Sequence, residues 1–312
     1  MIPPVLQIYA ALLLDQVLGD PRWLPHPIRL IGWFAGILEK FFRAICPSLR
    51  LAGIFTVIIL VGTTTGGVVC LLQLTAKIHP ALGTLCGIII MYTSFAARDL
   101  WKHSQAVYEA LNTKNLKDAR RKVGLIVGRD TTNLSEQEVS RAAVESVAES
   151  LVDGVTAPLF YAFLFGPAGA MAYKAINTAD SIFGYKNERY REFGWAGARL
   201  DDLANLIPAR MTAFIIPVAA FLLGLNARNS LRILLRDRKN HSSPNSGHAE
   251  AAVAGALGVQ LGGSNIYFGK IVEKPTIGDE DQQITPRHIL LTNRLMLATT
   301  ILVTLILTPF GL

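Results

Sequence analysis

Three groups of carboxylates and amides stand at spacings that could do chemistry: Glu145, Glu149 and Asp153; Asn177 and Asp180; and Asp201, Asp202 and Asn205. At 100° per residue Val139, Ala143, Val144, Val147 and Leu151 cover one side of a helix, while Glu138, Arg141, Glu145, Glu149 and Asp153 fall within about 120° on the other. Glu145, Glu149 and Asp153 therefore read as one acidic line, able to accept a proton or hold magnesium. The same stripe also suits a solvated face in which Arg141 pairs with Glu145. On a helix the oxygens of Asp201, Asp202 and Asn205 converge, and Pro208 breaks the ladder just past them. Magnesium is usually held by one or two carboxylates together with substrate phosphates, and Asn177 with Asp180 offers a second half-site. Helix capping and interfacial polarity are the plain alternative for these five residues.

Lys174, Lys186, Arg189, Arg191 and Arg199 surround the acids. A site handling polyphosphate needs both signs, cations for the phosphate oxygens and acids for the metal; Lys174 could equally snorkel to a membrane interface. The string Ser243-Pro244-Asn245-Ser246-Gly247-His248 leads into a helical pattern. Such a turn leaves amides free to bind an anion, although short strings of this kind are also ordinary loops. There is no GxxxxGK[ST] and no strand-glycine-helix fingerprint, so nucleotide use does not follow from motifs alone.

The elements that carry these groups are those of a membrane protein. Only 17% of the 312 residues are charged and the mean hydropathy is +0.37, against about 25% charge in soluble chains. Uncharged windows between Arg50 and Lys77 and between Asp153 and Lys174 reach the roughly 20 residues a spanning helix needs. Pro4 to Gly19 lacks a basic start and a cleavage site, and reads as a retained anchor. The proline-punctuated stretch from Asp15 to Trp33 is expected to be extended and turned. Three cysteines without paired spacing suggest neither zinc nor a disulfide framework, and no basic patch interleaved with aromatics points to nucleic acid. The pattern predicts an all-α, polytopic fold with roughly four to six membrane helices, some broken or re-entrant. Its segments are N-terminal membrane helices over 1–97, a cytoplasmic helical segment over 98–154, broken membrane segments over 155–227, a polar loop over 228–287 and a C-terminal membrane helix over 288–312. The basic loops after 174 and after 227 both stay inside only if the 155–173 and 203–227 runs are broken or re-entrant. The working expectation is that all the polar motifs meet at the cytoplasmic face.

At this point the strings DQVLGDPRWLPHPIRLIG, VGRDTTNLSEQEVSRAAVESVAESLVDGVTAPLF, AINTADSIFGYKNERYREFGWAGARLDDLANLIPAR and SPNSGHAEAAVAGALGVQLGG together resemble the CobD/CbiB family, adenosylcobinamide-phosphate synthase. The resemblance runs from about Asp15 to Gly269 in order, with Ser150 a small departure. It implies a bacterial inner-membrane enzyme that joins the free carboxyl of adenosylcobyric acid to (R)-1-aminopropan-2-ol or its O-phosphate, using ATP and Mg2+. Beside it, residue type and position assign magnesium to Asp180, Asp201 and Asp202 with Asn177 and Asn205 assisting. Phosphate falls to Arg129, Lys186 and Arg189, with Lys174, Ser243, Asn245 and Ser246 also on the substrate side. Glu145 or Glu149, in line with Asp153, would take the amine proton, and His26 and Arg29 would meet the corrin periphery. Partners left open are other late cobalamin-pathway enzymes and further copies of the chain. A prenyltransferase with magnesium-diphosphate motifs, or a non-catalytic membrane scaffold, is the rival reading.

Overall fold

Helix starts in the first part of the chain are set by residues that satisfy, or lack, the first free amides. The computed structural model describes residues 2–21, 26–185, 187–267 and 269–311, so Lys186 lies outside the described residues. Helix α1 (Pro4–Leu18) and helix α2 (Pro27–Ile45) both begin on proline, whose φ is preset for a first turn. His26 caps α2, its Nδ1 accepting from Ile28 N at 3.3 Å. Ser48 and His79 do the same for α3 (Leu49–Ile78) and α4 (Pro80–Tyr92). The stretch expected to be extended is helical at its two ends, Asp15 to Leu18 in α1 and Pro27 to Trp33 in α2, and non-helical at 19–21 and His26, while 22–25 lie outside the described residues. Proline at the first helical position starts a helix as readily as proline inside one breaks it.

The remaining elements are α5 (Ala97–Asn112), α6 (Leu116–Val123), α7 (Glu136–Leu151), α8 (Ala157–Phe183), α9 (Trp195–Ala204), α10 (Leu206–Leu222), α11 (Ala227–Asp237), α12 (Ser246–Leu257), strands β1 (Leu261–Tyr267) and β2 (Lys270–Ile277), and α13 (Pro286–Leu307). They fall into two compact units, Met1–Ala96 with Asp153–Leu206 and Ile306–Leu312, and Ala97–Val152 with Ile207–Leu305.

In the first unit Ile31, Ala35, Leu38 and Phe42 form one stripe of α2 and pack with Val57 and Leu60 of α3, Met171, Ala175 and Phe183 of α8, and Phe193. Helix α8 bends at Gly166 (φ 63°, ψ −155°), just before Pro167, and then continues to Phe183. The interruption expected in the 155–173 run is thus a kink in a helix, a backbone conformation glycine adopts at little cost.

In the second unit α12 is lined with small residues. A Cβ on Gly255 would lie 2.5 Å from Asn229 O, and the close approach lets Asn229 Nδ2 donate to Gly255 O at 2.9 Å and Ser230 Oγ to Ala252 O at 2.7 Å. The antiparallel pair β1–β2 runs in register from Leu261↔Ile277 to Tyr267↔Lys270, with an irregularity at Gly262/Gly263. It lies in the stretch expected to be polar loop, where paired glycines concealed the alternation.

Among the described residues four helical runs are long and apolar enough to cross a membrane: Leu49–Ile78, Pro80–Asn112, Glu136–Phe183 and Pro286–Phe310. Helices α9 and α10 qualify only together, as a broken span or re-entrant pair. Only 17% of the apolar window of α3 is buried, with Ile58, Leu71 and Leu74 exposed. So much uncovered apolar surface needs lipid. The fold is that of a mainly helical, multi-pass membrane protein, and the C-terminal helix expected over 288–312 runs from Pro286 to Leu307.

Candidate functional site

The acidic face of α7 is where the second unit concentrates charge. Ser135 opens the helix with the expected capping box, reciprocated by Glu138. Nearly two turns before its end at Leu151, Glu145 is held from three directions. Arg129, in the loop before α7, donates Nη2 to Glu145 Oε2 and Nη1 to Asn265 Oδ1 of β1. Gly262 N donates to Glu145 Oε1 at 2.7 Å, and Arg141 Nε lies 3.8 Å from the same oxygen. The Arg129 and Glu145 side chains are only 6% and 14% exposed, which makes this a buried pair joining loop, helix and hairpin. Glu149, one turn on, is exposed and accepts from Ser246 Oγ at 3.2 Å.

Facing them are two residues that the spacing argument passed over. Glu250 of α12 is buried, and His241 Nε2 lies 3.6 Å from its Oε1. Ser243 N donates to His241 Nδ1 at 3.0 Å, so the neutral imidazole carries its hydrogen on Nε2. Burial, and then the nearby Glu149 and Glu145 charges, push the Glu250 carboxyl well above the usual carboxylate range. Burial likewise lowers His241. With Arg129, Lys239, Asn265 and Lys274 these groups line a cleft of ≈ 440 Å³. A signal for Glu250 was present in the sequence, a lone acid inside the small apolar run HAEAAVAGAL.

The pH dependence of Glu250 has a definite sign. Its folded form keeps a proton that the unfolded chain has already released, so its contribution to stability is full below the ordinary carboxylate range and is lost as pH rises through the elevated folded value. Glu250→Gln is therefore expected to melt above the unsubstituted protein at neutral pH and level with it near pH 4. Thermal scans at both pH values check this, and equal melting at neutral pH would show that the burial of Glu250 costs nothing.

The first unit assembles a second set. Asp201 accepts from Asn177 Nδ2 at 3.3 Å and from Asn205 Nδ2 at 3.0 Å. Tyr173 OH donates to Asn205 Oδ1 at 2.9 Å and lies 3.4 Å from Asp153 Oδ1. Lys174 Nζ lies 3.4 Å from Asp153 O. Asp153 therefore joins Tyr173 and Lys174 rather than continuing the line of Glu145 and Glu149. The cause is the π-helical turn Val152–Thr156, which adds a residue and rotates everything after it.

Other predicted residues are engaged elsewhere. Asp180 lies against Gly184, where an added Cβ would sit 2.1 Å from its Oδ1. Asp202 faces Arg199 at 3.6 Å, and Arg189 pairs with Glu39 at 3.2 Å. His26, besides capping α2, lies 3.3 Å from Asp20, and Arg29 is exposed. Ser243 Oγ accepts from the backbone N of Asn245 and of Ser246, each at 3.3 Å, and Asn245 Oδ1 accepts from Arg210 at 3.2 Å. Among the described residues no three histidine, cysteine, aspartate or glutamate side chains converge as a metal cluster, so Asp180, Asp201 and Asp202 do not form a preformed cage.

A family model described as CobD/Cbib protein matches residues 8–296. A "Cobalamin biosynthesis protein CobD" from Leptospira interrogans serogroup Icterohaemorrhagiae serovar copenhageni is 52% identical over 295 residues, 95% of this chain and 94% of the relative. A protein of the same name from Geobacter metallireducens is 53% identical over 272 residues, covering 87% and 86%. The "Cobalamin biosynthesis protein CbiB" of Salmonella typhimurium is 46% identical over 289 residues, covering 92% and 91%. No solved structure matches.

Proposed function

The chain belongs to the CobD/CbiB family and has a role in cobalamin biosynthesis, and from that premise we propose that it makes an amide bond at the expense of ATP. The substrates are the free carboxyl of adenosylcobyric acid and the amine of aminopropanol or its phosphate, and the products are adenosylcobinamide or its phosphate, ADP and inorganic phosphate. The observation that supports this reading best is the cleft of the second unit, where Glu149 stands exposed opposite Lys239, Lys274 and His241.

A carboxylate does not condense with an amine in neutral water until it is activated. In the proposed sequence a corrin carboxylate oxygen attacks the γ-phosphorus of ATP and ADP leaves. The amine nitrogen then attacks the acyl carbon of the acyl phosphate, inorganic phosphate leaves, and the amine proton passes to Glu149. Such chemistry rests on positioning and on neutralising phosphate charge, tasks suited to Lys239 and Lys274. Glu145, already committed to Arg129, Arg141 and Gly262, holds the wall of the cleft and does not take the proton.

For magnesium, the first unit offers the carboxylates of Asp201 and Asp153 as hard-cation donors, while Asn177 and Asn205 turn their amide nitrogens to Asp201 and would hold that carboxylate in place rather than ligate the ion. When bound, the ion would neutralise phosphate charge. Asp201→Asn is expected to raise the magnesium needed for half-maximal turnover by about tenfold or more, and Asp202→Asn, at a residue facing Arg199, to raise it less. Turnover measured against magnesium concentration decides, and unchanged dependence in Asp201→Asn removes the assignment. We place the active face on the cytoplasmic side of the cell membrane, the side that Lys and Arg in the loops favour.

The test of the reaction is amide synthesis by purified protein in detergent with adenosylcobyric acid, ATP and magnesium, comparing aminopropanol with its phosphate. Product formation that depends on ATP is expected, and the faster amine is the physiological one. Absence of product with either amine, in protein that melts cooperatively, would leave prenyl transfer or a scaffold role.

A further inference from the structure

A second cleft of the second unit, ≈ 610 Å³, is lined by Arg210, Arg238, Lys239, His241, Ser243 and His248 together with Phe214 and Pro244, and no carboxylate lines it. Its cations are unlike their neighbours. Arg232 and Arg236 of α11 are neutralised by Asp279 and Asp237 at 2.6–2.8 Å, whereas among the described residues neither Arg238 nor Lys239 is in an ion pair.

The floor of the cleft is the start of α12. Asn245, at the cap position, makes no side-chain capping bond and instead accepts from Arg210. Gly247 is needed for the fit, since a Cβ there would lie 2.8 Å from both Arg238 O and His241 Cβ. The first turn of α12 is thus packed directly on the basic loop, and its dipole adds positive potential where Arg238 and Lys239 already supply it.

His248 gives the independent indication. It is 7% exposed, and its Nδ1 is buried without a hydrogen-bond partner, a state rare enough in folded proteins to need an explanation. Burial first, then Arg210 and Arg238, lowers its pKa, against a raising contact with the Asn245 backbone. The ring lines the cleft beside Arg238 and Lys239, which are in no ion pair among the described residues, and beside a helix N-terminus, a set that suits an anion with several acceptor oxygens.

We propose that Arg210, Arg238, Lys239, His248 and the N-terminus of α12 form a binding site for a terminal, dianionic phosphate group. The inference deepens the proposed amide synthesis, whose substrates bring terminal phosphate either on the amino alcohol or on the nucleotide. Both present the same dianionic group, and bidentate guanidinium contact suits it.

The test is calorimetric titration of the full chain in lipid nanodiscs with inorganic phosphate, O-phosphoethanolamine, ethanolamine and ATP. Phosphate-bearing ligands are expected to bind and ethanolamine to bind far more weakly. Arg238→Ala is expected to weaken phosphate binding by about tenfold or more, the loss of one charge-assisted hydrogen-bonding group. Arg238→Lys would retain part of that affinity, and because Arg210 also holds Asn245, Lys239→Gln serves as the second variant. Loss confined to O-phosphoethanolamine places the amine substrate here, and loss confined to ATP places the nucleotide. Wild-type affinity for every phosphate ligand in both Arg238→Ala and Lys239→Gln, or no phosphate binding by the unsubstituted protein, overturns the proposal. Since binding is read without turnover, phosphate affinity lost in Arg238→Ala but without amide synthesis in the unsubstituted protein would sink the reaction and leave the site standing.

Discussion

Glutamine in place of Glu149 is expected to lower amide synthesis by roughly 10²- to 10⁴-fold, the usual contribution of a positioned general base, while leaving the melting temperature near that of the unsubstituted protein. The side chain is exposed into the cleft and has one described hydrogen bond, from Ser246 Oγ at 3.2 Å. A glutamine oxygen accepts that bond as well as a carboxylate does, so the geometry of α7 against α12 survives and only proton-accepting capacity is lost. Ser246→Ala removes the orienting bond but keeps the carboxylate, and a smaller fall in kcat with little change in KM follows if Ser246 positions the base. The measurement is single-turnover amide formation from preformed complex, which separates chemistry from corrin release. Full activity in Glu149→Gln would move the proton to another acceptor, and the neutral His241 would be the next to test.

Much of this site was legible where its logic is local. The acidic line on α7 and the Ser135–Glu138 capping box follow from helical period and cap chemistry, and both depend only on residues within a few turns. What the spacing could not show was how the acids divide. Asp153 was read as the third member of the line because a regular helix puts it there, but the π-helical turn Val152–Thr156 breaks the period, and nothing in the residue types announces such a turn. The partners of Glu145 come from 16, 117 and 4 residues away, at Arg129, Gly262 and Arg141. The middle one lies in a hairpin whose glycines, with positive φ at Gly262 and Gly263, look in sequence like loop. Glu250 was missed for a different reason. It is buried on the side of α12 turned to Glu145, Glu149 and His241, a long-range packing that alanines and glycines permit but do not signal. In the first unit, by contrast, Asn177, Asp201 and Asn205 do come together, because i, i+4 spacing on α9 and its C-terminal residue already aligns two of them.

Arg129→Ala separates two roles that the sequence left joined, phosphate ligand and structural partner. If Arg129 chiefly neutralises Glu145, its removal strands a carboxylate that is 14% exposed, left with Gly262 N at 2.7 Å and with Arg141 at 3.8 Å, beyond hydrogen-bonding distance. Breaking a buried pair from one side typically costs about 3–5 kcal/mol, which for a chain of this size lowers the melting temperature by on the order of 10 °C. Asn265 Oδ1 would keep only the longer bond from Arg141 Nη2 at 3.4 Å, loosening β1 from the loop before α7. The double variant Arg129→Met with Glu145→Leu removes both charges and is expected to recover most of that loss, because apolar packing often replaces a buried pair without net cost. A melting cycle over the two single variants and the double variant in detergent measures this coupling directly. A strongly positive coupling makes Arg129 the clasp of the cleft wall. Unchanged melting in Arg129→Ala, together with lost turnover, would instead return Arg129 to the phosphate. In that case the close contact with Glu145 is what an incoming phosphate displaces, and the glutamate's remaining bond to Gly262 would be enough to hold the hairpin on its own.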